Sequence, residues 1–178
     1  MLSLTRLRLG IGADDVGEEL KRLLMFLLQD HPRLVSLDDY SYADTALYPT
    51  VAIGVAEAIR RGDIDRAVLI CGTGIGMCIA ANKVPGVRAA VGHDSYSVER
   101  SIKSNNCQVL ALGSRIVAPT LAYRLVDEWL RYDFDIGTPS DTKLQLLDEF
   151  EQRQIDHEDK NPGGPVSSLG ARATGFRT

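Results

Sequence analysis

The sequence predicts one α/β domain built around a parallel sheet of five strands. Short apolar segments of strand length alternate with segments whose apolar residues recur at helical spacing. The segment Ala67 to Cys71 is apolar throughout, as expected of a central strand that is buried on both faces. A glycine-rich loop follows it directly. Strands that alternate with helices are typical of parallel sheets with right-handed crossovers.

Five segments have the composition of strands, and six have helical spacing or helical end signals. Pro49 and Pro119 stand where the first turn of a helix accepts proline, and Gly62 is typical of a helix end. The predicted strands are Arg6 to Gly12, Arg33 to Leu37, Ala67 to Cys71, Val87 to Val91 and Gln108 to Leu112. The predicted helices are Gly17 to Asp30, Pro49 to Gly62, Ile75 to Lys83, Asp94 or Ser95 to Ser104, Pro119 onwards, and Ser140 to Gln154.

The length of 178 residues suits one domain, which we place at residues 1–154. Residues 155–178 contain prolines, glycines and few apolar side chains, so we expect a tail there. The net charge of −4 disfavours nucleic-acid binding. No apolar run approaches the roughly 20 residues of a membrane span, and the N-terminus lacks a signal-peptide pattern. We therefore expect a cytoplasmic protein that binds neither nucleic acid nor membrane.

The cysteines and histidines give little support to a metal site or to a disulfide framework. The three cysteines are an odd number without CxxC spacing, and the three histidines are far apart in sequence. We therefore expect no metal and no other cofactor. The residues concerned are Cys71, Cys78, Cys107, His31, His93 and His157.

The loop Cys71-Gly72-Thr73-Gly74-Ile75-Gly76 predicts an anion-binding site. Its glycines allow several backbone N–H groups to point at one spot, and the start of a helix adds a positive field. Such a loop suits a phosphate or an oxyanion that forms during a reaction. A nucleotide-binding module is disfavoured, because the spacing matches neither the dinucleotide fingerprint nor a Walker A loop.

Cys71 has two interpretations on local sequence alone. A helix N-terminus can lower the pKa of a thiol, so Cys71 could remove a proton from a carbon beside a carbonyl group. It could equally be a buried residue at the end of a strand. Thr73 could orient the thiol or be an ordinary turn residue.

Ligands of parallel sheets bind beyond the carboxyl ends of the strands. In this sequence those places are Gly12 to Gly17, the glycine loop, and Gly113 to Arg115.

Two longer blocks carry a family resemblance. The block CGTGIGMCIAANKVPGVRAA, followed by SNNCQVLALGSR, resembles the ribose-5-phosphate isomerase type B and galactose-6-phosphate isomerase family. The resemblance spans roughly Leu9 to Phe150. It implies a Rossmann-like three-layer αβα fold with a C-terminal helix, and metal-independent aldose–ketose isomerisation of a small sugar phosphate through a cis-enediolate. It also implies a homodimer or a dimer of dimers with shared active sites.

The resemblance also implies roles for individual residues. Cys71 and Thr73 match the catalytic pair, and Gly72, Gly74 and Gly76, with Ile75 among them, match the anion hole. Some relatives use a glutamate in place of the cysteine, at the position of Met77, so the cysteine variant applies here. The remaining substrate-binding positions fall on Asp14, Asp15, Tyr48, Asn105 and Arg115.

The sequence departs from the family pattern at three places. The usual Asp-His after the first strand is Asp14-Asp15, and Ser104 replaces the histidine that is assigned to opening the sugar ring. Two phosphate-binding arginines would fall near Thr138 and Thr142, and Lys143 is a candidate substitute.

The serine at position 104 raises a substrate hypothesis. A pentose 5-phosphate closes into a furanose ring, whereas a tetrose 4-phosphate cannot, because its O4 carries the phosphate. The sequence Ser104-Asn105-Asn106 resembles a branch of the family that acts on tetrulose phosphates. D-Erythrulose 4-phosphate and ribose 5-phosphate both stay open as substrates. A non-catalytic subunit is disfavoured, because Cys71 and Thr73 are both present.

Overall fold

The computed structural model describes residues 6–40 and 47–160, without the side chains of residues 158 and 159. It contains one parallel five-stranded sheet with the strand order β2-β1-β3-β5-β4. The predicted fold class is therefore confirmed. The strands are β1 (Leu7–Ala13), β2 (Leu34–Asp39), β3 (Arg66–Cys71), β4 (Ala89–Val91) and β5 (Val109–Gly113).

Helices cover both faces of the sheet. On one face, Leu24 and Trp129 belong to a buried cluster with side chains of β1, β3 and β5, and on the other face Val55 and Met77 belong to a buried cluster with side chains of β3 and β5. The result is the three-layer arrangement expected from the sequence. The helices are α1 (Glu18–Leu28), α2 (Tyr48–Arg61), α3 (Ile75–Ala81), α4 (Ser95–Lys103), α5 (Pro119–Arg131) and α6 (Pro139–Lys160).

The helix ends follow local chemistry. Gly62 ends α2 in the left-handed conformation, with φ of 77°, and its N–H donates to the carbonyl groups of the last turn. Asp94, not Ser95, is the N-cap of α4, because its carboxylate accepts the N–H of Ser97 at 2.8 Å. These two residues therefore fix where the loop after α2 begins and where the loop before α4 ends.

Several elements differ from their predicted bounds by one or two residues, and α6 differs by more. β4 begins at Ala89 instead of Val87, because the N–H of Val87 closes a turn onto the carbonyl of Val84. α3 ends at Ala81, and α6 continues to Lys160, so the predicted tail begins with helical residues. The rest of the predicted tail lies outside the described residues.

Buried arginines fasten the end of α5 to the amino ends of two strands. The guanidinium of Arg66 donates to the carbonyls of Trp129 and Tyr132 at 3.1 and 2.9 Å, and it lies 5.3 Å from the centre of the Trp129 ring. Arg33 donates to Leu130 O at 2.9 Å. Burial lowers the pKa of Arg66 to about 10, although Asp133 opposes this effect. The contacts at Leu130 and Tyr132 supply donors to carbonyl groups at the end of α5, while Trp129 O also accepts the N–H of Tyr132 at 3.3 Å.

We expect Arg66→Ala to lower the free energy of unfolding by about 2–3 kcal/mol, because it removes the donor of Tyr132 O, the second donor of Trp129 O and the ring contact. Urea denaturation followed by circular dichroism measures this change. Arg61→Ala is the control, since Arg61 is exposed on α2 and its loss is expected to cost about 0.5 kcal/mol or less. Equal urea midpoints for Arg66→Ala and Arg61→Ala would contradict a stabilising role of Arg66.

Candidate active site

Three loops meet at the carboxyl edge of the sheet, around the end of β3. The N–H of Asp14 donates to Ile70 O at 3.2 Å, and this bond ties the loop after β1 to β3. On the other side, the N–H groups of Ser114 and Arg115 donate to the carbonyls of Cys71 and Gly72 at 2.8 and 3.1 Å. The main chain therefore fixes the three loops relative to one another, at the place where ligands bind in parallel sheets.

Cys71 is the last residue of β3, and its thiol lies on the glycine loop. Its Sγ accepts the N–H of Gly74 at 3.1 Å, and the residue is 6% exposed. A hydrogen bond from a backbone N–H stabilises a thiolate more than a neutral thiol. Gly74 has a φ of 77°, and a Cβ there would lie 3.0 Å from the carbonyl carbon of Leu112. The turn that delivers this N–H thus requires glycine.

Two further glycines of the loop give space to larger side chains of the site. A Cβ on Gly76 would lie 2.7 Å from the Tyr48 ring, so this ring rests directly on the loop. A Cβ on Gly72 would lie 3.6 Å from Cδ of Arg115. The structure therefore brings Tyr48 and Arg115 to the loop that carries Cys71, as the sequence predicted for one site.

Thr73 contacts the loop and β5 instead of the thiol. Its Oγ1 accepts the N–H of Ile75 at 3.4 Å, and its main chain lies against Gly113. The thiol of Cys71 is held by Gly74 N–H, and a role of Thr73 in orienting the thiol stays a prediction. Ile75 exposes its side chain beside the loop.

Asp14 and Asp15 lie in the loop after β1. Burial raises the pKa of Asp14, and the charge of the exposed Asp15 adds to this rise. Two effects lower the pKa of Asp14. Its carboxylate accepts the N–H of Gly17 at 2.9 Å, and the positive charge of Arg115 favours the ionised form. Asp14 therefore holds a proton more readily than an ordinary aspartate. Arg115 also lines a cavity of about 460 Å³ between α1 and the start of α5.

Asn105 lies at the opposite edge of the sheet. It precedes β5, its carbonyl accepts Arg88 Nε at 3.1 Å near the amino end of β4, and its side chain donates to Arg100 O at 2.9 Å. Because β5 rises about 3.3 Å per residue, roughly 13 Å separate the two ends of this strand. Asn105 therefore does not join Cys71 within one chain.

The candidate phosphate ligands of the C-terminal segment lie on the same side as Asn105. α5 returns to the amino edge, where its last carbonyls contact Arg66, and Thr138, Thr142 and Lys143 follow it. α6 then approaches the amino end of β4 through the ion pair of Asp148 with Arg88 at 3.0 Å. The residues that the resemblance implies for one site thus occupy two opposite edges of the sheet.

His93 at the carboxyl edge was not predicted from the sequence as a site residue, and Ser114 was predicted only as part of the segment Gly113 to Arg115. His93 follows β4, and its Nε2 accepts the N–H of Gly113 at 3.1 Å. The Ser114 hydroxyl lies 3.0 Å from Val16 O and 3.2 Å from Cys71 O, so it links two of the three loops. The position of His93 directly after a predicted strand is the signal that could have identified it.

Within residues 6–40 and 47–160, no three or more His, Cys, Asp or Glu side chains are placed to hold a metal ion. Over the same residues, no helix combines the length and the apolar character that crossing a bilayer requires.

A glycine-rich loop with a cysteine at the carboxyl edge of a parallel sheet is typical of α/β proteins that bind a small ligand at this edge. A family model described as Ribose/Galactose Isomerase matches residues 9–147. The chain therefore belongs to the ribose/galactose isomerase family, and it is an isomerase.

Relatives and solved structures agree with this family. The chain is 46% identical over 148 residues to D-erythrulose-4-phosphate isomerase 2 of Mycolicibacterium smegmatis, which covers 82% of the chain and 97% of the relative. It is 42% identical over 149 residues to Ribose-5-P isomerase B of Listeria innocua, with coverages of 83% and 99%. The structure of ribose-5-phosphate isomerase B from Clostridium thermocellum aligns with a TM-score of 0.77 at 39% identity, covering 83% of this chain and 99% of that one.

We expect Cys78 and Cys107 to differ in reactivity at pH 8. Burial raises the pKa of Cys107 to about 12, so roughly one Cys107 in ten thousand is a thiolate at that pH. Burial also raises the pKa of Cys78. Iodoacetamide should therefore modify the half-buried Cys78 before Cys107, and Cys107 only after unfolding in urea. Peptide mass spectrometry measures the order, and equal rates for Cys78 and Cys107 in the native protein would contradict it.

Proposed function

We propose that this chain interconverts the aldose and ketose forms of a small sugar phosphate through a cis-enediolate, with Cys71 as the base. The observation that carries the proposal is the contact of Cys71 Sγ with the N–H of Gly74, inside a glycine loop that also meets Tyr48 and Arg115. This reaction needs a base, a loop that binds an anion and a cationic side chain, and Cys71, the glycine loop and Arg115 are proposed for these roles.

The reaction can be written with these residues. The Cys71 thiolate removes a proton from the carbon beside the carbonyl group, and the electron pair moves onto the carbonyl oxygen. The N–H groups of the glycine loop stabilise the enediolate oxygen as its charge develops. The thiol then returns the proton to the neighbouring carbon. Asp14, whose pKa is raised, moves the hydroxyl proton between the two oxygens.

Arg115 is proposed to bind the phosphate end of the substrate. Its side chain is exposed and lies beside Gly72, so a phosphate can reach the guanidinium while the sugar end lies on the loop. Guanidinium groups bind phosphate oxygens in pairs of parallel hydrogen bonds.

The second half of the site is proposed to come from a partner copy of the chain. Asn105 and Lys143 lie at the amino edge of their own sheet, so a homodimer would place the partner's copies of them over Cys71. Apolar side chains beside the loop supply a contact surface, since α2 and α3 expose Leu47, Ile53, Ile75 and Ile79. The dimer can assemble further into a dimer of dimers.

The proposed preferred substrate is D-erythrulose 4-phosphate, which gives D-erythrose 4-phosphate. Ser104 caps α4, and its hydroxyl contacts the Arg100 guanidinium at 3.2 Å. A serine hydroxyl does not exchange a proton readily near neutral pH, so it does not replace a ring-opening histidine. A tetrose 4-phosphate does not need that step. The name of the Mycolicibacterium smegmatis relative supports this substrate, and the name of the Listeria innocua relative supports ribose 5-phosphate as the second candidate.

A mixed dimer tests the base and the shared site together. We expect Cys71→Ala and Asn105→Ala each to lower turnover by roughly a hundredfold or more, because each removes a group from every site. Co-expression of the two variants should restore about one quarter of wild-type activity, since half of the dimers are mixed and each mixed dimer has one intact site. A coupled assay of sugar-phosphate turnover measures the recovery.

Cys78→Ala is the matched control for the first variant, because Cys78 lies outside the loop, with its thiol 3.3 Å from Ala89 O. It should keep turnover close to wild type. Full activity of Cys71→Ala would remove Cys71 as the base. Strong losses in both single variants without recovery in the mixture would place Cys71 and Asn105 in the same chain's site.

Ser104→His tests the substrate. We expect the wild type to have a higher kcat/KM for D-erythrulose 4-phosphate than for ribose 5-phosphate. The substitution should raise the ribose 5-phosphate value by about tenfold or more, because it supplies an acid–base group for ring opening. Ser104→Ala is the control and should raise neither value. A wild-type kcat/KM for ribose 5-phosphate equal to or above the tetrulose value would sink the tetrose proposal.

A further inference from the structure

We propose that His93 is a positioning residue of this site, which holds the main chain of Gly113 and thereby the turn that carries Arg115. The proposal rests on the proposed function for its kinetic consequence, but its structural basis is independent of the substrate. His93 belongs to neither the glycine loop nor the segments that carry the other candidate residues.

The contact arises because β4 is shorter than its neighbour β5. β4 ends at Val91, and the N–H of Gly92 donates to Ala111 O at 3.2 Å. Beyond this bond, β5 continues to the buried Gly113, whose N–H meets the His93 imidazole at 3.1 Å. A buried backbone N–H needs an acceptor, and here a side chain supplies the acceptor where the strand has ended.

Gly113 is the first residue of the turn that places Arg115. Its carbonyl accepts the N–H groups of Ile116 and Val117 at 2.9 and 3.0 Å. The following residue, Ser114, bonds to the carbonyl of Cys71, which pairs with Gly113 in the sheet register. A shift of Gly113 therefore moves the turn and its guanidinium relative to the thiol.

Gly113 also touches the glycine loop directly. A Cβ at this position would lie 2.8 Å from Cα of Thr73, so the two main chains are too close to leave room for a methyl group between them. A displaced Gly113 consequently presses on the loop that holds Cys71. His93 thus supports both sides of the site, the phosphate side through Arg115 and the reaction side through Thr73.

The role requires a hydrogen-bond acceptor at the His93 position. An imidazole nitrogen that accepts an N–H carries no proton itself, so the other ring nitrogen, Nδ1, carries it in the neutral ring. A glutamine side chain can offer its amide oxygen to the same N–H, whereas leucine fills space without accepting. This difference separates positioning from simple packing.

The experiment compares His93→Leu, His93→Gln and the control His157→Ala, whose histidine is exposed on α6. Three quantities are measured: kcat and KM with D-erythrulose 4-phosphate and ribose 5-phosphate, the inhibition constant of inorganic phosphate, and exchange of the Gly113 amide by NMR. For His93→Leu we expect KM and the phosphate constant to rise by about tenfold, with a smaller loss in kcat. The Gly113 amide should exchange at least about tenfold faster.

His93→Gln should stay within about threefold of the wild type in all three quantities, because the acceptor is restored. The proposal is overturned if His93→Leu keeps the wild-type KM, phosphate constant and Gly113 exchange, or if His93→Gln is as impaired as His93→Leu. If the wild type converts neither sugar phosphate, the proposed function fails, while Gly113 exchange and phosphate binding, measured by calorimetry, still decide the role of His93.

Discussion

The pairing of β3 with β5 sets Cys71 directly beside Gly113, and the candidate site is organised around this register. From one side of the pair the glycine loop folds back so that Gly74 reaches the thiol, and from the other side the turn after β5 carries Arg115 to Gly72. Because parallel strands end at a common edge, this single register brings the Cys71 thiol, the glycine loop and the Arg115 guanidinium to one place.

The sequence allowed the fold and most of the carboxyl edge to be predicted, since the informative signals there are local. The apolar run that ends at Cys71 identifies a buried strand, and the glycines after it identify a tight loop. The contact of His93 with Gly113 could not be predicted, because it depends on β4 stopping at Val91 while β5 continues. The location of Asn105 at the amino edge of the sheet likewise follows from the order and direction of the strands, which a local sequence pattern does not show.

Two buried cationic side chains, those of Lys21 and Arg66, make structural contacts that were not predicted from the sequence. Lys21 is almost fully buried on α1 and pairs with Asp39 at the end of β2 and with Glu18, each at 2.9 Å. Arg66 plays a comparable part at the amino edge, where it closes α5. A charged side chain such as Lys21 or Arg66 is expected from its residue type to be exposed. Tertiary partners stabilise them in the interior, since a buried charge that lost its partner would be costly.

The division of candidate residues between the two edges of the sheet has a consequence for the life of the protein in a cell. Under the proposed assembly, a newly made chain is folded but carries only half of each catalytic centre. Activity then begins when two chains meet, so it grows more steeply than the amount of protein while copies are scarce. Chain abundance would in this way set the onset of the reaction as well as its rate.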